Sequence, residues 1–446
     1  MKGNIFTAVL GMSSGLTVQR WNEKEVETVC QMTIPWIGND KDIFWPEQWL
    51  RSVVELVNSY AEQGDTIAWA MPGADLAFVE RYRVSMSERA YRLILPILSY
   101  QSLADGVIFE EINKMVNPKK AYRQMAGANW AFFQPPSHIF YYLKELQSGD
   151  FKVISLADWI SYLAKGAKTE IPVHDSTMLQ SMGAYDFDGS TSGLYTELFG
   201  EDTAEKIFPF DVLGENAYST IDDIKIIPCS HDSVFARRIG FSVCPSGIWT
   251  GTWVGTSDWI GEKNIKPSNK TFDAGIAFEG LGNLRALITN ISMAGAIYKA
   301  IVQKLGWSYE QASKKAAEAV SHLGSQVVFD LDELPTDTEA VEKLVAGKAL
   351  NAGDYTLAYL LQSLAAACRR KKEAVYKILR RKVPEEVAVF GGFAENQAFL
   401  QALKNFGFEP IVPKFASNAT HAGLAMDALI RTGQAANDQE ALSMLR

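Results

Sequence analysis

Ile5-Phe-Thr-Ala-Val-Leu-Gly-Met-Ser-Ser-Gly-Leu-Thr-Val-Gln-Arg20 runs from an apolar stretch through a glycine-bounded turn into a second extended stretch. Gly247-Ile-Trp-Thr-Gly-Thr-Trp-Val-Gly-Thr-Ser-Asp-Trp-Ile-Gly261 repeats the arrangement in the second half of the chain. Each reads as strand, tight turn, strand. Around them, residues 47–62 place Leu50, Val53, Val54 and Val57 at helical spacing, and residues 66–70 form an apolar strand pattern. Residues 224–229 read as a buried strand, 354–381 as a long helix, and 387–390 as a strand opening onto Gly391-Gly392. A helix rich in small residues, 419–432, closes the chain. Strands alternating with helices predict an α/β architecture. Two halves opening on the same unit predict a duplicated fold, residues 1–221 and 222–446, whose halves pack closely and hinge about a cleft.

The 446 residues are enough for several domains, each with its own core. Hydrophobic residues at 47% and charged residues at 21% describe an ordinary folded chain and exclude disorder. Forty-three basic against fifty-two acidic side chains leave a formal charge of -9, with no basic block long enough to track a phosphate backbone. The densest run, 369–372, reads as a solvated helix face, so neither nucleic acid nor an anionic membrane is an expected partner. Cys30, Cys229, Cys244 and Cys368 lie far apart without metal spacing, and free thiols are expected. No apolar stretch has the length of a membrane span and the start lacks a signal-peptide pattern, so a cytoplasmic protein is expected.

Glycine turns after strands can hold phosphate, because glycine admits close approach of an anion and positive φ without a Cβ clash. Gly11, Ser13, Ser14 and Gly15 form one such turn, Thr250, Gly251 and Thr252 a second, and Gly391 and Gly392 a third. A plain hairpin turn explains any one of them; the recurrence of three at strand ends carries the reading. Ser230-His231-Asp232-Ser233 follows a buried strand, where open α/β sheets gather ligands. Asp232 there is either a general base or the cap of the helix that follows. His138, His174, His322 and His421 fall in no metal-binding spacing. Of the eleven tryptophans, one or two are expected near a ligand and the rest in the core.

Taken in order, these segments resemble the FGGY carbohydrate kinases, and within them the rhamnulokinases. The resemblance spans residues 4–430 and implies two ribonuclease H-like (actin-like ATPase) domains around an interdomain cleft. Residues 9–15 resemble the first phosphate motif, Pro72-Gly-Ala-Asp75 a sugar-contacting segment, and Asp158-Trp-Ile-Ser-Tyr162 an Asp-Tyr segment. The most specific pair is Ser230-His-Asp-Ser233 followed by Thr250-Gly-Thr-Trp253; Glu279-Gly280 and Gly391-Gly-Phe-Ala-Glu-Asn396 match later motifs. The resemblance implies transfer of the ATP γ-phosphoryl group to a hydroxyl of a ketose or deoxyketose such as rhamnulose. Asp232 would be the base and a Mg²⁺-associated carboxylate. Gly73, Asp75, His231 and Ser233 would contact the sugar, and Gly391, Gly392 and Asn396 the adenosine. Partners are then sugar and ATP, with a homodimer as the protein partner considered.

Five positions depart from the family pattern: Val9 replaces the first-motif aspartate, Leu16 a basic residue, Phe278 an asparagine, Phe393 a glycine and Asn418 an acid. Loss of a carboxylate near the metal weakens the electrostatic clamp on which phosphoryl transfer depends. A sugar-binding pseudokinase acting as sensor or scaffold is therefore the alternative.

Overall fold

The computed structural model describes residues 3–11, 14–38, 42–85, 89–99, 102, 106–131, 134–143, 149, 151–167, 174–184, 192–210, 212, 218–261, 265–280, 285–292, 294–325 and 354–445. The first half contains β1 (Ile5–Gly11), β2 (Gly15–Trp21), β3 (Val26–Met32), β4 (Ile37–Gly38), β5 (Ile43–Trp45), β6 (Thr66–Met71), β7 (Leu76–Arg83), β8 (Arg89–Leu93), β9 (Ile97–Leu98), β10 (Phe151–Ser155), β11 (Ser219–Ile221) and β12 (Ile224–His231). The second contains β13 (Ser246–Thr250), β14 (Val254–Trp259), β15 (Ala277–Glu279), β16 (Ala286–Ser292), β17 (Glu386–Gly391) and β18 (Glu409–Ile411).

The two main sheets repeat one topology. In the first, the order β12-β6-β1-β2-β3 has β1, β2 and β3 antiparallel and β6 and β12 added in parallel. In the second, β18-β17-β13-β14-β16 reproduces that order and those directions. β6 is buried along its whole length, as its unbroken apolar run requires of a central parallel strand. Two small sheets, β10-β7-β8 and β4-β5-β9, are inserted in the first half. The chain is thus a mixed α/β protein of two sheet-containing domains.

The division expected after residue 221 falls inside the first sheet. β11 and β12 form a hairpin with Ile221 opposite Ile224, and β12 completes the first sheet by pairing with β6. Hydrophobic patterning identifies the strand, but only the open edge of β6 decides which sheet receives it. The second repeat begins at Ser246.

Two helices seal the halves together. The helix Asp232–Phe241, which leaves the first sheet, packs on β13 and β17 of the second; the helix Ala419–Arg431, which leaves the second, packs on β1 and β6 of the first. They meet at Gly423, where a Cβ would collide with the Phe235 carbonyl. Ile5, Ala70, Ile227, Phe235, Ala388, Phe390 and Ala425 share the resulting core. Arg238 fixes the pair by donating to Asp427 at 2.8 Å and to Asp438 at 2.6 Å.

The run at 369–372 is not entirely a solvated face. Lys372 is fully buried on the helix Asp354–Leu379, and its Nζ donates to Asp258 at 2.7 Å, Ser246 at 2.8 Å and the Ser257 carbonyl at 3.1 Å. All four cysteines are free. Among the described residues no helix is long and apolar enough to cross a membrane.

Candidate active site

β12 delivers His231 to the cleft and the chain turns there into a helix. His231 occupies the N-cap position in extended conformation, and Asp232 is the first helical residue. The His231 side chain makes no cap bond, and the Asp232 carboxylate accepts from the Ser233 N–H at the start of the helix. It lines a cavity of about 460 Å³ shared with Gly11 and Ser14 of the first half and Thr250, Gly251 and Thr252 of the second. His231 Nε2 lies 3.7 Å from its Oδ1. Burial pushes the Asp232 carboxyl above its ordinary range, opposed by His231 and the Ser233 N–H.

His231 is held from several sides. Nδ1 lies 2.8 Å from Ser181 Oγ and 3.1 Å from Ser233 Oγ. Ser233 Oγ donates to Glu279 Oε2 at 3.0 Å, and Arg237 Nη1 meets the same oxygen at 2.7 Å. Burial, the largest single influence, would raise the Glu279 carboxyl; Arg237, His231 and the hydrogen bonds from Arg237 and Ser233 together outweigh it and hold the group below its ordinary value. Gln180 brackets Glu279, donating to the Phe278 carbonyl at 2.8 Å and accepting from Gly280 N–H at 2.9 Å. Phe278 N–H donates to the Gly127 carbonyl at 2.9 Å, and the Phe278 ring is buried with Tyr122 and Leu287. Ser181, Arg237 and Glu279 complete a constellation in which sequence reading marked only His231, Asp232 and Ser233. Arg237 and Ser181 lie in no motif, and only Glu279-Gly280 carried a signal.

The glycine turns divide by role. Gly11 and Ser14 line the cavity, whereas Gly15, at φ +74°, is absent from its lining; a Cβ at Gly15 would collide with the Met32 carbonyl. Ser13 lies outside the described residues. Thr250 joins the second and third turns: its carbonyl accepts from Gly392 N–H at 2.6 Å and its hydroxyl from Phe393 N–H at 2.8 Å. Gly391 reaches φ +95° beside that carbonyl, a position closed to a side chain.

A second cavity, of about 1130 Å³, shares Gly251 and Thr252 with the first and is lined further by Gly392, Asn396, Tyr298, Lys299 and Lys314. Asn396 caps the helix Gln397–Asn405, accepting from Phe399 N–H at 3.1 Å and donating to Tyr298 OH at 3.0 Å. Its amide is therefore committed to structure even though the residue borders the cavity. Phe393 packs edge-to-face on Tyr298 at 4.9 Å.

Asp75 corrects an expectation. It is 1% exposed, is not among the described residues lining the cavity, and accepts from Trp45 Nε1 at 2.6 Å. The turn before β7 presents the Gly73 backbone to the cleft and sends the aspartate side chain inward to the indole. Val9 and Asn418 do line the cavity, and Leu16 is core. Trp249 and Trp253 are the tryptophans that border it among the described residues.

His421 also lines the cavity, although no spacing singled it out. Its Nδ1 lies 2.8 Å from Thr7 Oγ1, which accepts from Trp21 Nε1 at 3.0 Å. Burial lowers its pKa to about 4, so the ring is neutral near pH 7. His174 is structural: Nε2 accepts from Phe210 N–H, leaving Nδ1–H to donate to Asp158 at 2.7 Å. No group of three or more metal-ligating side chains converges among the described residues.

This architecture is the two-domain actin-like ATPase fold found in sugar kinases. No protein-family model and no curated protein matches the sequence. Among solved structures, glycerol kinase from Plasmodium falciparum with ADP superposes with a TM-score of 0.73 at 12% identity, over 100% of this chain and 92% of that one. Xylulose kinase from Lactobacillus acidophilus gives 0.74 at 13% identity, covering 99% and 92%. Gluconate kinase from the same organism gives 0.71 at 14%, covering 100% and 92%.

Proposed function

We propose that the protein is an ATP-dependent carbohydrate kinase that phosphorylates a hydroxyl of a ketose or deoxyketose, rhamnulose being one candidate. The observation that carries this reading is the placing of the Asp232 carboxylate in a cavity that meets the larger one at Gly251-Thr252. The acceptor would occupy the side of Gly73, His231 and Ser233, the adenosine the side of Gly392 and Tyr298, and the transferred phosphoryl group the turns between. Asp232 takes the proton of the attacking hydroxyl, a contribution on the order of 10² to 10⁴ in rate. Burial, which raises the Asp232 carboxyl above its ordinary value, makes it a better proton acceptor than an exposed aspartate. Positioning of the two substrates by the closing halves supplies much of the remainder.

Mg²⁺, which needs one or two carboxylates besides nucleotide oxygens and water, would add counter-charge to the phosphates. Asp232 would supply one such carboxylate, and Val9 leaves the first strand without an acid at the cavity. That same absence favours the second reading, a sugar-binding pseudokinase. ADP release from Mg-ATP with a panel of pentuloses and 6-deoxyhexuloses separates the two. A kinase turns over at least one sugar and loses at least a hundredfold in rate in the Asp232→Asn variant, with sugar affinity kept within about tenfold. Sugar binding without ADP release in the wild type supports the sensor instead.

A further inference from the structure

Glu279 is fixed in a way that leaves one oxygen for a ligand. Oε2 is consumed by Ser233 Oγ and Arg237 Nη1. Oε1 makes no hydrogen bond among the described residues, and the side chain, 17% exposed, faces the cavity that holds Asp232. Ser233 and Arg237 hold the carboxylate, and Gln180 and Gly127 fix the backbone on its flanks. An ionised, immobile acceptor aimed into a cavity needs a donor from whatever fills it.

The charges of the cavity restrict what that donor belongs to. Asp232 and Glu279 are its acids, and Arg237 is the only lysine or arginine among the described residues lining it. The guanidinium is 2% exposed and turned onto Glu279. His231 lies between the acids, 3.7 Å from Asp232 and 3.8 Å from Glu279, and His421 is neutral. A ligand carboxylate here would face two like charges, while the one guanidinium gives Nη1 to Glu279 and keeps Nε and Nη2 buried out of reach of the cavity. A neutral hydroxyl donates to Oε1 without that repulsion.

Resting on the kinase reading above, we infer that Glu279, braced by Arg237, selects a neutral polyhydroxylated acceptor and rejects sugar acids, with one acceptor hydroxyl donating to Glu279 Oε1. This divides the substrate classes of the neighbouring folds, placing the site with those for glycerol and xylulose rather than that for gluconate.

The test is calorimetric binding to the full chain, using each neutral polyol or ketose beside an aldonate of matching length: glycerol with glycerate, xylulose with xylonate, glucitol with gluconate. The wild type is expected to bind at least one neutral member at least tenfold more tightly than its acid. Glu279→Gln, which keeps the shape, removes the charge and turns an amide toward the ligand, should shrink that ratio at least tenfold; Glu279→Asp should retain it. An aldonate bound as tightly as its neutral partner by the wild type overturns the inference whatever the variants do, and leaves the kinase reading standing. A ratio unchanged in a normally melting Glu279→Gln protein also overturns it. Absence of binding by every pair, with no ADP release, removes both readings together.

Discussion

Gly73 lies against the imidazole of His231: a Cβ at Gly73 would sit 2.6 Å from the ring carbon Cδ2 and 2.8 Å from Nε2. The backbone of the first half thus forms one wall of the slot that holds the histidine, and Ser181 fixes the other side. Gly73→Ala must push the ring, the movable partner, rather than the strand. Sugar affinity is therefore expected to fall at least tenfold while the melting temperature changes by no more than a few degrees. Calorimetry beside a thermal melt checks this; unchanged affinity would show that the position of His231 does not govern binding.

Val9 is the first half-buried residue of β1 and lines the cavity, where an aspartate would meet the phosphates. Val9→Asp is expected to lower the Mg²⁺ concentration required for nucleotide binding, because a second carboxylate then faces the metal. Magnesium titration of nucleotide affinity in both proteins decides it. Unchanged metal dependence with a lower melting temperature would assign the position to core packing, the cost being that of a buried acid.

His138 and His421 make stability depend on pH. Burial lowers their pKa values to about 3 and about 4, below the ordinary value, and neither nitrogen of His138 has a partner among the described residues. A histidine depressed in the fold keeps its full contribution above the unfolded pKa and loses it as pH falls toward the folded value. By pH 5 each has given up about 2 kcal/mol. Urea unfolding at pH 7.5 and pH 5 should show that loss, and His138→Phe should remove about half of it. An unaltered pH slope in the variant would rule out His138 as the source.

Lys372 and Asp258 form a buried pair between the long helix Asp354–Leu379 and the second sheet. Burial lowers the lysine pKa, with Asp258 opposing that shift. Lys372→Met strands the Asp258 carboxylate in the core and is expected to cost about 3 to 5 kcal/mol of unfolding free energy. Replacing both residues with apolar side chains should recover much of the loss, because the penalty lies in the unpaired charge. A single variant as stable as the wild type would contradict this account.

Local pattern and tertiary packing divided the information. The amino-acid order determined the strands β1, β2, β6, β12, β13, β14 and β17, the glycine turns between β1 and β2 and between β13 and β14, the helical face of Leu50, Val53, Val54 and Val57, and the position of Asp232 just after a buried strand. These depend on periods of two and 3.6 residues and on glycine's access to positive φ, all set within a few positions. Which sheet receives β12 is a different matter, because the edge that accepts it belongs to β6, far away in sequence. Lys372 in the core, Asp75 turned to Trp45, and Arg237, Ser181 and Glu279 gathered around His231 are likewise decided by segments that meet only after folding. A buried lysine and an exposed one have the same local pattern. Their difference is the partner waiting in the interior, and a buried charge survives there only when such a partner is supplied by the rest of the fold.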